Sequence, residues 1–152
     1  MDTPKVLLDT DVVINWLVQE VETASAKELW KAPLEIVRRA EAGKLRALIS
    51  LTTLLEIRFL LRRKKSFSSR QVEDDLNSIM SVIDVIIPDE LSLLKANTLQ
   101  ADHPLDPFDA IHLSLCAGLE PVTLISRDND FIKIARKLGT ALTPEAFVTT
   151  LK

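Results

Sequence analysis

The sequence predicts an α/β fold: a three-layer α/β/α sandwich around a central, mostly parallel sheet of four to five short strands. Three observations predict it. Short apolar runs recur along the chain at Val6-Leu7-Leu8, Arg46 to Ser50, Val85-Ile86-Ile87 and Val122 to Ile125, each too short for a helix. Between them lie segments with apolar residues at helical spacing. Strands that alternate with helices pair in parallel, with the helices covering the sheet faces.

In chain order, Lys5 to Leu8 is the first strand. A helix follows from Asp11 to about Gln19, with Val12, Val13, Trp16 and Leu17 on one face. A second helix is expected from Thr23 to Ala42, with a stripe of Leu29, Ile36, Val37 and Ala40, and Gly43 suits its end. Arg46 to Ser50 is the next strand and Leu51 to Lys64 the next helix. After a polar break at Ser66 to Ser69, Val72, Leu76, Ile79, Met80 and Ile83 mark a helix over 69–83. Val85 to Ile87 is β-branched and stops at Pro88. Asp89 to Ala101 is helical, with Leu91, Leu94 and Leu99 expected inward. Pro104 and Pro107 bracket a turn before a helix over Ala110 to Leu119. Val122 to Ile125 is a strand, Asn129 to Leu138 a helix ended by Gly139, Ala141-Leu142 a short edge strand, and Pro144 to Leu151 a last helix.

The 152 residues read as one domain over 1–152, and 47 % hydrophobic content is enough for a core without staples. The single cysteine, Cys116, cannot form an internal disulfide, and with no signal-like start it points to a cytoplasmic, reducing compartment. Cys116 sits in an apolar run and reads as a small buried hydrophobe. No apolar run approaches ~18 residues, so no membrane span is expected. A net charge of −3 lacks the basic excess of many nucleic-acid binders. It is compatible with one whose acids hold cations, because such acids lower the formal total.

Acidic residues recur where strands run into helices. Asp9 ends the first strand, followed by Thr10 and Asp11, although a helix cap needs only one of the three. Glu56 interrupts the apolar run Leu54-Leu55-Glu56-Ile57, and Thr53-x-x-Glu56 also has capping-box spacing. In Leu105-Asp106-Pro107-Phe108-Asp109, Asp106 suits an N-cap and Pro107 the first helical position. Asp109 then lies in the first turn, among apolar neighbours. Ser126-Arg127-Asp128-Asn129-Asp130 has more acids than capping requires. In a parallel sheet the strand ends share one edge, so these carboxylates converge. Converging carboxylates repel, and hard divalent cations relieve that repulsion. No Cys/His spacing points to zinc, and His103 and His112 read as structural histidines.

The ordered set resembles the PIN-domain ribonucleases, and among them the VapC-type toxins of toxin–antitoxin pairs. It comprises a strand ending in Asp9-Thr10, then Thr52/Thr53 with Glu56, Asp109-Ala110-Ile111-His112-Leu113, and Ser126 to Phe131. The resemblance runs from Val6 to about Phe131. It implies four catalytic acids, Asp9, Glu56, Asp109 and Asp128, with Mg²⁺ (or Mn²⁺) held by Asp9, Asp109 and Asp128. Glu56 would hold a second metal or orient the attacking water. Thr10 and Ser126 match the supporting hydroxyl positions, Ser126 standing where threonine is more usual, and Asp106 and Asp130 are additional supporting acids. The implied activity is hydrolysis of RNA phosphodiesters to 5′-phosphate and 3′-hydroxyl ends. The implied partners are RNA, a second copy in a homodimer, and a small antitoxin.

For RNA contact the candidates are Arg58, Arg62 and Lys65 on the helix carrying Glu56, together with Arg127. Lys133, Arg136 and Lys137 read as plain surface. Trp16, Leu17 and Trp30 are either core or the lining of an antitoxin groove. Three alternatives stay open at this point. One is a stand-alone PIN nuclease in RNA processing, since an asparagine is frequent in the toxins where Asp128 stands. Another is a catalytically inactive PIN-fold binding module. The third is a haloacid-dehalogenase-type phosphatase, whose D-x-D is similar to Asp9-Thr10-Asp11. That family leaves Glu56 without a role and fits Ser126 to Asp130 poorly.

Overall fold

A computed structural model describes residues 3–152. Its elements in order are β1 (Lys5–Leu8), α1 (Thr10–Leu17), α2 (Lys31–Glu41), β2 (Arg46–Ser50), α3 (Leu51–Arg63), α4 (Ser69–Val82), β3 (Asp84–Ile86), α5 (Glu90–Asp102), α6 (Pro107–Leu119), β4 (Thr123–Ile125), α7 (Asn129–Ala135), β5 (Thr140–Leu142) and α8 (Pro144–Thr150). The five strands stand in the order β3-β2-β1-β4-β5. Every neighbouring pair is parallel, so the sheet is wholly rather than mostly parallel. Register is fixed by pairs such as Leu7 with Leu48 and Leu8 with Ile125.

Alternation along β1 builds the three layers. Val6 and Leu8 face a core shared with α1, α2, α3, α4 and α8, while Leu7 faces a second core with α6 and α7. The central strands are apolar on both faces because both faces are covered. Ala96 and Leu99 bring α5 onto the second core.

Three expectations are revised. The helix expected over 23–42 begins only at Lys31. Residues 18–30 form a tight excursion, in which Val21 bridges Glu28, the Ala26 N–H donates to the Glu22 carbonyl, and Ala26 takes a positive φ of 56°. These turn bonds satisfy the backbone locally and outcompete a helix with few apolar residues to bury. Leu91 and Leu94 point outward, 61 % and 60 % exposed, because α5 seats on the smaller Ala96. Met80 is exposed as well, since α4 buries the adjacent stripe of Val72, Leu76 and Ile79.

Candidate active site

From β1 the chain order diverges, to β2 on one side and to β4 on the other. A crevice at the C-terminal ends of two such strands is where open α/β sheets bind ligands. The Asp9 N–H donates to the Ile125 carbonyl at 2.9 Å, which holds the ends of β1 and β4 together. Asp9 itself caps α1: Oδ1 accepts the Thr10 N–H at 2.8 Å. Its other oxygen, Oδ2, accepts the Ser126 hydroxyl at 2.7 Å. Ser126 Oγ in turn accepts the Asp128 N–H at 3.1 Å. Asp11 is therefore not the cap. It lies in the first turn, where burial and then the Asp9 charge push its pKa up.

The helix α3 is capped by Ser50, whose Oγ accepts the Thr52 N–H at 3.2 Å, so Thr53-x-x-Glu56 is no capping box. Thr53 is buried within the helix, and Glu56 comes one turn later, where Oε1 accepts the Thr10 hydroxyl at 2.9 Å. Burial raises the pKa of Glu56. The Thr10 bond opposes that rise, and the charges of Asp9, Asp106 and Asp11 add to it.

Asp106 caps α6 by accepting the Asp109 N–H at 2.9 Å, with Pro107 at the first helical position. Asp109 is half-buried. Burial first, then the charges of Asp9, Asp106 and Asp128, push its carboxyl up to about 8. Asp128 Oδ1 caps α7 through the N–H groups of Asp130 and Phe131 at 3.0 and 3.1 Å. Asp9, Asp11, Glu56, Asp106, Asp109 and Asp128 thus act on one another electrostatically. The Asp130 side chain is exposed, and Asp130 joins the network through its backbone N–H.

His112 is the residue that the sequence reading placed among structural histidines. Its side chain is 1 % exposed, and Nδ1 lies 3.5 Å from Asp9 Oδ1. Its Nε2 lies 3.2 Å from Thr53 Oγ1, whereas Nδ1 has no hydrogen-bond partner among the described residues. Burial drives the imidazole pKa down against the opposite pull of Asp9 and Asp106, which favours the neutral ring. A signal for this was available: His112 follows Asp109 by three positions and so shares its face of α6. Donor atoms of Asp9, Asp109 and His112 all lie within 4.8 Å of one another. The crowded oxygens and the orphaned nitrogen together fit a divalent cation.

Arg127 needs correction as an RNA contact. Its guanidinium donates to both Glu145 oxygens at 2.8 and 3.0 Å, to the Leu29 carbonyl at 2.7 Å and to Asn15 Oδ1. A fork with three intramolecular partners is a clasp and has little left for phosphate. Arg58 and Arg62 are exposed on α3, Arg58 paired with Glu73 and Arg62 donating to the Phe67 carbonyl at 3.1 Å. Lys65 is exposed just beyond that helix. Trp16 and Leu17 line an open groove of about 770 Å³ together with Val21, Lys65 and Phe67. Trp30 precedes α2 and packs under the Lys31 ammonium instead. Burial pushes the Cys116 thiol up to about 12, so it is no nucleophile.

Comparison with known proteins places this geometry. Residues 6–137 match the PIN domain family model. Among curated proteins, none matches significantly. Several solved structures share the fold. A toxin–antitoxin complex from Klebsiella pneumoniae has a TM-score of 0.64 at 20 % identity, over 91 % of this chain and 97 % of that one. VapBC2 from Rickettsia felis, bound to a DNA fragment from its promoter, has 0.69 at 14 %, over 91 % and 98 %. DNA-bound VapBC from Salmonella typhimurium has 0.64 at 16 %, over 93 % and 99 %. With the family match spanning most of its length, the chain belongs to the PIN domain family.

Proposed function

We propose that the chain is a divalent-metal-dependent endoribonuclease and the toxin of a toxin–antitoxin pair, acting in the cytoplasm. One observation carries the catalytic reading. Asp9, Glu56, Asp109 and Asp128 come from four separate segments, and the Asp9 charge acts on both Glu56 and Asp109 while that of Asp128 acts on Asp109. Burial and the neighbouring acids push Asp109 up to about 8, and a cation at this edge would relieve that crowding of charge.

Asp9, Asp109 and Asp128 would hold Mg²⁺ or Mn²⁺. The cation supplies Lewis acidity toward the phosphoryl oxygens and the attacking water. The remaining work belongs to side chains. Ser126 and the Thr10 N–H fix both oxygens of Asp9 and leave a lone pair on each pointing away from the clamp. The Thr10 hydroxyl orients Glu56, whose raised proton affinity suits it to take a proton from water. Asp106 restrains the first turn of α6, and with it Asp109. The N-termini of α1, α6 and α7 direct partial positive charge at the same edge, toward phosphate.

RNA would lie along α3, which carries Glu56 and exposes Arg58 and Arg62, toward Lys65 just beyond its end. The antitoxin would seat in the groove of Trp16, Leu17 and Phe67, and one neighbour of similar fold, that from Klebsiella pneumoniae, is itself a toxin–antitoxin complex. The exposed apolar row of Ile87, Leu91 and Leu94 favours a homodimer. The phosphatase reading gives way to the PIN family match over residues 6–137, and Glu56, for which that reading has no role, is bonded to Thr10 beside Asp9.

The test is a substrate comparison with Mn²⁺. The protein is expected to cut single-stranded RNA to 5′-phosphate ends and to leave p-nitrophenyl phosphate intact. Turnover of the small ester without RNA cleavage would overturn the proposal.

A further inference from the structure

Proton bookkeeping around His112 leads beyond the four acids. Thr10 has one hydroxyl proton, and Glu56 at 2.9 Å takes it. Thr53 Oγ1 lies 3.4 Å from the same Thr10 hydroxyl, as its second acceptor, and 3.2 Å from His112 Nε2. In the Nε2–H tautomer the latter contact is a bond to Thr53, and Nδ1 presents a bare lone pair. That lone pair is fully buried, lacks a hydrogen-bond partner among the described residues, and lies 3.5 Å from an Asp9 oxygen. A lone pair facing a carboxylate with no donor between them is costly. A cation beside them converts the cost into a bond.

We infer that His112 Nδ1 is a nitrogen ligand of the bound cation, beside Asp9 and Asp109, and that it makes the centre prefer Mn²⁺ over Mg²⁺. The inference rests on the metal-dependent reading above. Mg²⁺ favours oxygen donors, whereas an imidazole suits transition metals. The bond from Nε2–H to Thr53 supplies the outer hydrogen bond that ligating histidines need, fixing tautomer and ring orientation. It also ties the ligand to Thr10 and Glu56, so metal position and Glu56 orientation are set by one buried chain of bonds.

The experiment uses Mn²⁺-loaded protein without RNA. The chain has two histidines, so a His103→Asn background leaves only His112. Electron spin-echo modulation of Mn²⁺ is expected to show a directly bound ¹⁴N. In His112→Gln the amide still reaches Thr53 but offers nothing at the Nδ1 position. That variant should lose the ¹⁴N signal and lower the Mn²⁺/Mg²⁺ affinity ratio by about 10-fold or more. Bound Mn²⁺ without coordinated nitrogen, or an unchanged affinity ratio, overturns the inference and leaves the nuclease reading intact. No Mn²⁺ binding overturns both. If His112→Gln fails to fold, the spectrum of the His103→Asn protein alone decides. An intact ¹⁴N signal in a protein that does not cut RNA would uphold the ligand and sink the nuclease.

Discussion

Asp109 shows at residue scale what the crowding of charge costs. Its ordinary pKa is 3.8, and in the folded chain it stands near 8. Folding therefore binds its proton more tightly, and this group favours the fold most below pH 4. That contribution is lost as pH rises from about 4 through 8. Asp109→Asn mimics the protonated form, so in metal-free protein it should match wild type near pH 4 and melt higher than wild type at pH 8. Solvent screening of a half-exposed group limits the gain to a few degrees. Added Mn²⁺ should raise the melting temperature of wild type and not that of the variant. Thermal melts across this pH range, with and without metal, check it. The acids themselves were legible as residues, because Asp9, Asp106, Asp109 and Asp128 stand at a strand end, a helix cap or a first helical turn, and Glu56 interrupts an apolar run. Their partners were not. His112 meets Thr53 across 59 positions and Ser126 meets Asp9 across 117, and only the folded sheet brings such pairs together.

At the scale of elements, the start of α6 was legible because turn chemistry is local: Asp106, ahead of Pro107, is a cap whose bond spans three residues. The capping-box spacing of Thr53 and Glu56 misled, because Ser50 at the end of β2 already caps α3. The segment 18–30 was misread because nothing local reveals that Arg127 will hold it. Arg127 donates to the Leu29 carbonyl, to Asn15 on α1 and to Glu145 on α8, and so ties three elements into one corner. Glu145 is held low by Arg127 and Lys27 even though burial works against it. Arg127→Ala should therefore destabilise the fold by about 2 kcal/mol, the scale of hydrogen bonds to charged groups. That corresponds to a melting temperature lower by about 4–8 °C. Arg127→Lys should fall nearly as far, because an ammonium cannot serve the same fork of partners. A phosphate-contact role would instead leave stability untouched and raise the KM for RNA.

Across the whole molecule, the wholly parallel sheet makes the site. Four segments far apart in sequence deliver their acids to one edge because every strand points the same way. The layer order was legible from alternation of strand and helix, whereas the outward leucines of α5 were not. Helical spacing marks an apolar stripe, but whether a neighbouring helix or a second chain covers it is decided by tertiary packing. The most direct test of the account is metal-dependent RNA cleavage by wild type against Asp9→Asn. Asparagine remains a good N-cap, so the variant should keep the fold, as a cooperative melt in metal-free buffer would show. It is expected to lose cleavage in Mn²⁺ by at least about 100-fold, since loss of an outer-shell partner alone costs about 10–100-fold. Chelator should silence wild type to the same level. A folded Asp9→Asn protein that cuts RNA as fast as wild type would contradict the account.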